Sequence, residues 1–505
     1  MQTLATAGDA ARWLRARTRA SLHTDSRVLG AGDAFLAWPG ARHDARAHVA
    51  QALGAGAAAV IVESNGASPE LFKDARVAAM RGLKAASGPI ADAFFNHPSG
   101  ALRVLAVTGT NGKTSTAWWL AQALGSPMLP TAWPCAMVGT LGVALAPGSA
   151  LASSGLTTPD AVLLQRSLRD FADHGARACA MEASSIGLAE HRLDGTRLHT
   201  AVFTNLTQDH LDYHGDMQAY WQAKQRLFRW PGLQAAVVNI DDPHGAGLAD
   251  ALRGAALDLW TTSCESAARL RATDIRHDAE GLRCVVIEGT AQHVLRTRLI
   301  GQYNVSNLLG VIAAMRTLGV ELGDAIAACG QLSPVPGRMQ CTLQAGKPMT
   351  VVDYAHTPDA LDKVIAALRP VAAQRGGRLW CVFGCGGDRD PGKRPLMGRA
   401  AAAADLVVLT SDNPRSEDPM AILAQIAPGL AGHAGTRQLP DRASAIGTAV
   451  HAAAAADVVL VAGKGHESSQ EIGNQRLPFS DQEHLLRALA SWQTQSVPPT
   501  SGVMA

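Results

Sequence analysis

The sequence predicts an α/β protein with largely parallel sheets, and two observations lead there. Short apolar runs recur at 57–63, 102–107, 177–182, 200–205, 235–240, 350–354, 379–384, 406–410 and 458–462, and helical stretches separate them nearly throughout. Strands that run the same way need such crossovers to return. Length adds the second observation: 505 residues exceed one core and divide into about three domains. Turn-forming residues mark the joints. Asn96-His97-Pro98-Ser99-Gly100 precedes one strand and Ser333-Pro334-Val335-Pro336-Gly337 closes a helical stretch, which gives domains at 1–98, 99–337 and 338–493. The tail 494–505, with Pro498, Pro499 and Gly502, carries too little apolar surface to offset ordering and is expected to be disordered.

Composition excludes several classes. Hydrophobic residues make up 47% and charged residues 17%, with net charge +2, so no strong field recruits nucleic acid or an acidic membrane. The eight cysteines show no zinc spacing, and several lie in apolar strand-like runs where they read as small core residues. No run reaches membrane-spanning length and residues 1–19 lack a continuous apolar stretch, so a cytoplasmic protein is expected.

The most informative segment is Val104-Leu-Ala-Val-Thr108-Gly109-Thr110-Asn111-Gly112-Lys113-Thr114-Ser115. An apolar strand breaks into a glycine turn, where backbone N–H groups can face phosphate oxygens. Lys113 can reach the terminal phosphates of a nucleoside triphosphate, and Thr114 opens a helix whose hydroxyl can ligate magnesium. The usual spacing asks for glycine at 107; Val107 stands there, and Gly109 supplies the turn.

Other strand ends carry polar residues that an ordinary turn does not require. Glu182 precedes Ser184-Ser185, and Asn205 precedes Asp209-His210-Leu-Asp212-Tyr-His214. A carboxylate, an imidazole and the Thr114 hydroxyl beside a triphosphate suit magnesium, a hard cation preferring oxygen. Each residue alone also suits a turn or helix cap. Lys224 falls in the middle of an apolar stripe of Met217, Tyr220, Trp221, Leu227 and Phe228 and so faces the core. It either snorkels to solvent or is modified, since carbon dioxide adds to a neutral amine and turns a misplaced cation into an anionic metal ligand.

Further on, Gly301-Gln-Tyr-Asn304-Val-Ser-Asn307 opens a helix with amides able to read an adenine or to cap the helix. Arg338 follows the second joint and could reach phosphate, and Asp353-Tyr354-Ala355-His356 ends a strand where a ribose could bind. Three successive strand ends then carry Gly384-Cys-Gly386-Gly387-Asp388-Arg389-Asp390, Asp412-Asn413-Pro414-Arg415 and Gly463-Lys464-Gly465-His466-Glu467. They read either as charged loops neutralising one another or as a zwitterion site, with an arginine fork for a carboxylate and Glu467 for an ammonium. Their succession favours an amino-acid ligand.

Taken in order, Gly109 to Ser115, Met181 to Ser185, Asn205 to Gly215, Asp353 to Ala360 and Gly463 to Glu467 closely resemble the Mur ligases, which lengthen the peptide of the bacterial cell-wall precursor with ATP. The resemblance covers nearly the whole chain. It implies an N-terminal α/β domain for the UDP-linked precursor, a central P-loop ATPase with a mainly parallel sheet, and a Rossmann-like C-terminal domain for the amino acid. By residue matching, Gly109, Thr110, Asn111, Gly112, Lys113, Thr114, Ser115, Asn304, Asp353 and His356 would hold ATP. Thr114 and Glu182 would hold one Mg2+, and His210 with carbamylated Lys224 another; Lys113, Glu182, His210, Lys224 and Arg338 would be the catalytic set. Thr24, Ser26, His43, Asp44, Ala45, Thr157, Thr158, Ser184, Glu190 and Arg192 would contact the UDP-precursor. The segment at His43 departs from the usual His-Gln-Ala, Ile186 replaces a common histidine, and Glu190 replaces a common glutamine.

Asp412-Asn413-Pro414-Arg415 resembles the signature of the diaminopimelate-adding branch, with Arg389, Asp412, Asn413, Pro414, Arg415, Gly463 and Glu467 as contacts. The implied activity is an ATP-dependent amide ligase joining meso-diaminopimelate to UDP-N-acetylmuramoyl-L-alanyl-D-glutamate through an acyl phosphate, and a monomer is expected. Lysine-adding Mur ligases and folylpolyglutamate synthases share the loop and the chemistry, and the Arg415 block argues against both. A nucleotide-driven switch protein is the reading from another class, and the converging ligand-like strand ends disfavour it.

Overall fold

The computed structural model describes residues 2–40, 43–149, 155–278 and 281–493, so the tail expected from Thr494 lies outside the described residues. Three main sheets organise the chain. The first is five-stranded, in the order Gln2–Thr3, Val77–Met80, Ala59–Glu63, Ala34–Ala37 and Leu22–His23, with every neighbouring pair parallel. Helices Ala7–Arg15 and Leu83–Phe94 pack Leu14, Leu83 and Ile90 into a core on one face, while Phe35, Val49 and Ala52 pack on the other.

The central sheet has ten strands, and Arg103–Thr108 lies inside it between Thr200–Phe203 and Ala178–Glu182. Alternate side chains of a strand point to opposite faces, and here both faces are covered: Leu105 and Val107 enter one core, Val104 and Ala106 the other. A strand buried on both sides must be apolar at consecutive positions, which is why this segment reads as a continuous run rather than an alternating one. Both edges of the sheet turn antiparallel: Gly142–Ala144 pairs with Cys135–Gly139, and Leu270–Asp278, Gly281–Glu288 and Ala291–Thr297 form a meander.

The third sheet runs Gln340–Thr342, Met349–Asp353, Val458–Ala462, Leu379–Phe383, Leu406–Leu409 and Thr436–Gln438, parallel except for its first strand. Its middle strands also bury both faces, with Val351 and Cys381 in one core and Val352 and Val382 in the other. The carboxyl ends of four adjacent parallel strands therefore open together, and the ligand-like loops leave from them. Gly337, at the joint between the central unit and this one, packs against Gly465 and His466. Its φ is +67°, and a Cβ there would lie 2.1 Å from the His466 nitrogen, so only glycine fits the joint. Nearby, Trp119 Nε1 donates to the Ser333 carbonyl at 3.0 Å.

Candidate functional site

The site is assembled around the turn that follows Arg103–Thr108. Gly109 has φ +149° and a Cβ on it would sit 1.9 Å from Thr204 Oγ1; on Gly112 a Cβ would sit 2.3 Å from Asn307 Oδ1. Backbone packed this closely leaves no room for a side chain, so the turn needs glycine at 109 and tolerates Val107. Asn205 braces it from the next strand: the Asn111 N–H donates to Asn205 Oδ1 at 2.9 Å and the Thr110 N–H to the Asn205 carbonyl at 2.8 Å. The helix opens at Lys113, one residue before Thr114, and runs to Leu124.

Lys113 folds back on the loop, donating to the carbonyls of Gly109 and Thr110 at 3.0 and 2.7 Å. Thr114 Oγ1 donates to Glu182 Oε2 at 3.0 Å, and the other Glu182 oxygen accepts the Thr140 N–H at 2.7 Å. Arg338 reaches across from the C-terminal unit, Nη2 to Thr114 Oγ1 at 3.2 Å, while its buried Nε has no hydrogen-bond partner among the described residues. Lys224 is 1% exposed, donates to the Gly109 carbonyl at 2.7 Å, and lies 4.4 Å from the centre of the Tyr220 ring. It does not snorkel. Burial, aided by the charge of Lys113, holds its amine well below the ordinary lysine range.

Among the described residues no group of three or more His, Cys, Asp or Glu side chains gathers in a way that could hold a metal ion. Ser184 caps the helix Ser185–Ala189, and Ser185 Oγ pairs with His214 Nε2 at 3.0 Å. His210 has φ +53°, faces the Tyr220 ring edge-on, and lies 3.5 Å from Asp209. The donors that remain fit a divalent cation carried with phosphate: Thr114 hydroxyl and Glu182 carboxylate oxygens touch, and Arg338 Nη2 donates to the same hydroxyl.

A cavity of about 420 Å³ lies beside the loop, lined by Asn111, Gly112, Ser115, Asn304, Arg338, Asp353 and His356 among others. Gly109, Thr110, Lys113 and Thr114 do not line it. Asn304 does not cap its helix: its Nδ2 donates to the Ile300 carbonyl at 2.7 Å and its Oδ1 accepts from Asn307 at 3.0 Å. Both Asp353 oxygens accept backbone N–H groups, from Met339 and Ala355, each at 2.7 Å.

A second cavity, of about 400 Å³, is lined by Arg389, Asp412, Asn413, Arg415, Gly463 and Glu467, with Asp209 and His210 on its central side. Tyr354 and His356 line both cavities and so form the wall between them. Pro414 does not line it; its carbonyl lies where a Cβ on Gly387 would be, at 1.9 Å. The charged loops do neutralise one another in part. Glu467 Oε2 takes Lys464 at 2.8 Å and Asn413 Nδ2 at 2.9 Å, and Arg415 donates to Glu471 Oε2 at 2.9 Å and the Gly387 carbonyl at 2.8 Å. Arg389, exposed, makes no hydrogen bond or ion pair among the described residues.

The candidate precursor contacts split into two groups. Thr158 Oγ1 donates to the Glu182 carbonyl at 2.8 Å and accepts the Ser184 N–H at 3.0 Å, Arg192 donates to the Thr158 carbonyl at 3.0 Å, and Thr157 lies 3.1 Å from Thr140. Glu190 pairs with Lys84 of the N-terminal unit and with the Tyr213 hydroxyl, each at 2.5 Å. Thr24, Ser26, His43, Asp44 and Ala45 lie on the N-terminal unit, where Asp44 caps a turn of 3₁₀ helix and pairs with Arg46 at 2.8 Å. Asn205, Thr140, Lys464 and Glu471 belong to the site yet were not singled out as site residues. Asn205 and Lys464 carried a signal, since they lie inside the Asn205 to Gly215 and Gly463 to Glu467 blocks.

Residues 107–315 match the Mur ligase middle domain and residues 337–465 match the Mur ligase, glutamate ligase domain. The chain belongs to the Mur ligase family. This Mur ligase is 59% identical over 494 residues to the UDP-N-acetylmuramoyl-L-alanyl-D-glutamate–2,6-diaminopimelate ligase of Acidovorax sp. (strain JS42), covering 97% of this chain and 98% of that one. A solved structure of an enzyme of that same description superposes with a TM-score of 0.64 at 36% identity, over 93% and 94% of the two chains. MurF ligase from Thermotoga maritima, solved in complex with ADP, shares the fold with a TM-score of 0.63 at 17% identity, over 94% and 97%. No helix among the described residues is long and apolar enough to cross a membrane.

Proposed function

We propose that this Mur ligase joins an amino group of meso-diaminopimelate to the D-glutamyl γ-carboxylate of UDP-N-acetylmuramoyl-L-alanyl-D-glutamate with ATP. The observation that carries the reading is the shared wall: the cavity beside the phosphate loop and the cavity bearing Arg415 and Glu467 meet at Tyr354 and His356. An acyl phosphate made on one side can thus be met by an amine held on the other.

In the first step the γ-carboxylate oxygen attacks the γ-phosphorus of ATP, the bond to the bridging oxygen breaks, and ADP leaves. In the second the amine attacks the acyl carbon, phosphate leaves with the bonding electrons, and the amine loses a proton. Lys113 would swing from the loop carbonyls onto the terminal phosphates, and Arg338 would steady the transferred group, so rate comes from positioning and charge stabilisation. Thr114 with Glu182, and His210 with Lys224, would hold Mg2+, which supplies neutralisation of phosphate charge. Free Lys224 is a cation ill-suited to that task; addition of carbon dioxide to its neutral amine, with loss of a proton, would make it an anionic oxygen ligand. Thr157, Thr158, Ser184 and Arg192 would hold the peptide end of the precursor, and Thr24, Ser26 and the His43 segment its uridine end. Arg415 would accept the distal carboxylate of diaminopimelate that lysine lacks.

ADP release should require both the UDP-linked dipeptide and diaminopimelate. Equal ADP release with either one omitted would contradict the reading.

A further inference from the structure

Two buried cations lie beneath the amino-acid cavity, and each ties together the same two segments. Arg442, on helix Arg442–Ala452, is fully enclosed. Its Nη1 donates to the Ser411 carbonyl at 3.1 Å and its Nη2 to the Ala462 carbonyl at 3.0 Å, while Nε and Nη2 each reach an Asp481 oxygen at 2.7 Å. Lys464 is enclosed as well, its Nζ 2.8 Å from Asn413 Oδ1 and 2.8 Å from Glu467 Oε2. One segment follows strand Leu406–Leu409 and the other follows strand Val458–Ala462. These strands are not neighbours, because Leu379–Phe383 runs between them. No ladder joins these two strands; the two cations span the gap where the strands end, and farther out Asn413 Nδ2 donates to Glu467 Oε2 at 2.9 Å and a backbone bridge pairs Arg415 with Ile472.

Neither side chain lines the cavity. What they hold does: the Asp412 to Arg415 loop on one side and Gly463 to Glu467 on the other. The guanidinium directs its N–H groups in a fixed plane, which an ammonium on a flexible stem does not reproduce. We propose that Arg442 and Lys464 are positioning residues for amino-acid selection, fixing the separation between the carboxylate-reading Arg415 and the ammonium-reading Glu467. This rests on the amino-acid reading of that cavity.

The test is steady-state kinetics of the full chain carrying Arg442→Lys. The KM for diaminopimelate should rise about tenfold or more while the KM values for ATP and the UDP-linked dipeptide stay within about twofold, because only the amino-acid geometry is disturbed. A residue that merely holds the fold would lower kcat and Tm with all three KM values unchanged, and that result would overturn the proposal. Lys464→Met, read by the same KM split, decides the matter if Arg442→Lys does not fold. If the unmodified enzyme makes no diaminopimelate-dependent product, the proposed function fails before any variant is compared; unchanged KM values in variants of an active enzyme remove the positioning role alone.

Discussion

Lys113 and Lys224 converge on one acceptor, their Nζ atoms lying 3.0 and 2.7 Å from the carbonyl oxygen of Gly109. Burial holds both amines below the ordinary lysine range, and Lys224 falls well below it because the charge of Lys113 adds to its burial. A neutral amine is the form that attacks carbon dioxide. Lys224→Ala should lower kcat by about 10²-fold or more, and short carboxylates added in solution should restore part of it. Full activity in the variant would remove the metal-ligand role, and an intact mass bearing the extra carbon dioxide would support it directly.

The phosphate turn makes a sharper structural demand. A Cβ on Gly109 would meet Thr204 Oγ1 at 1.9 Å and the Asn205 carbonyl at 3.0 Å, with φ at +149°. Gly109→Ala should cost at least about 1 kcal/mol of stability and raise the KM for ATP. Gly247→Ala is the control, since nothing lies within 4 Å of a Cβ there and the residue sits in helix Pro243–Leu252. It should be neutral or stabilising by up to about 1 kcal/mol, as read from Tm.

Arg415 carries the selectivity claim. Glu471 and the Gly387 carbonyl fix its guanidinium at the cavity wall, leaving donors for a ligand carboxylate. Arg415→Ala should narrow the preference for diaminopimelate over lysine by roughly 10²-fold or more in kcat/KM, because a site built to pair a charged group rejects the analogue lacking it. An unchanged ratio would assign the discrimination elsewhere.

The N-terminal unit has a pH-sensitive contact with the central one. His23 faces Arg166 at 3.1 Å, Asp33 at 3.1 Å, and the charge of Asp160. Burial first and Arg166 second hold it below 6.5; Asp33 and Asp160 oppose them. The unfolded chain therefore takes up the proton first, and stability contributed by neutral His23 is complete above 6.5 and declines as pH falls through the lower folded value. Tm should drop on acidification more steeply in the native chain than in His23→Asn. Parallel pH profiles would show that His23 is not responsible.

Much of the architecture was legible because strands buried on both faces must be apolar at consecutive positions. Val458–Ala462 and Leu379–Phe383 announce themselves that way, and the residues at their carboxyl ends stand out as polar where a plain turn needs none. The meander of Leu270–Asp278, Gly281–Glu288 and Ala291–Thr297 did not, since its exposed positions mix polar residues with apolar ones such as Val294 and its pairing comes from the neighbouring strand. Pairings across the chain were equally silent. Nothing local says that Lys464 will be enclosed between Asn413 and Glu467, that Glu471 will hold Arg415, or that Asn205 will brace the turn at Asn111. Lys224 was the exception, because its apolar stripe declared its burial in advance.

The central claim is that the two cavities sharing Tyr354 and His356 form one reaction chamber. Mass analysis of the product made from the UDP-linked dipeptide and ATP, with diaminopimelate and lysine competing, tests it most directly. A single amide product carrying diaminopimelate is expected, with ADP and phosphate in equal amounts. A product carrying lysine as readily, or ADP formed with no amide at all, would contradict it.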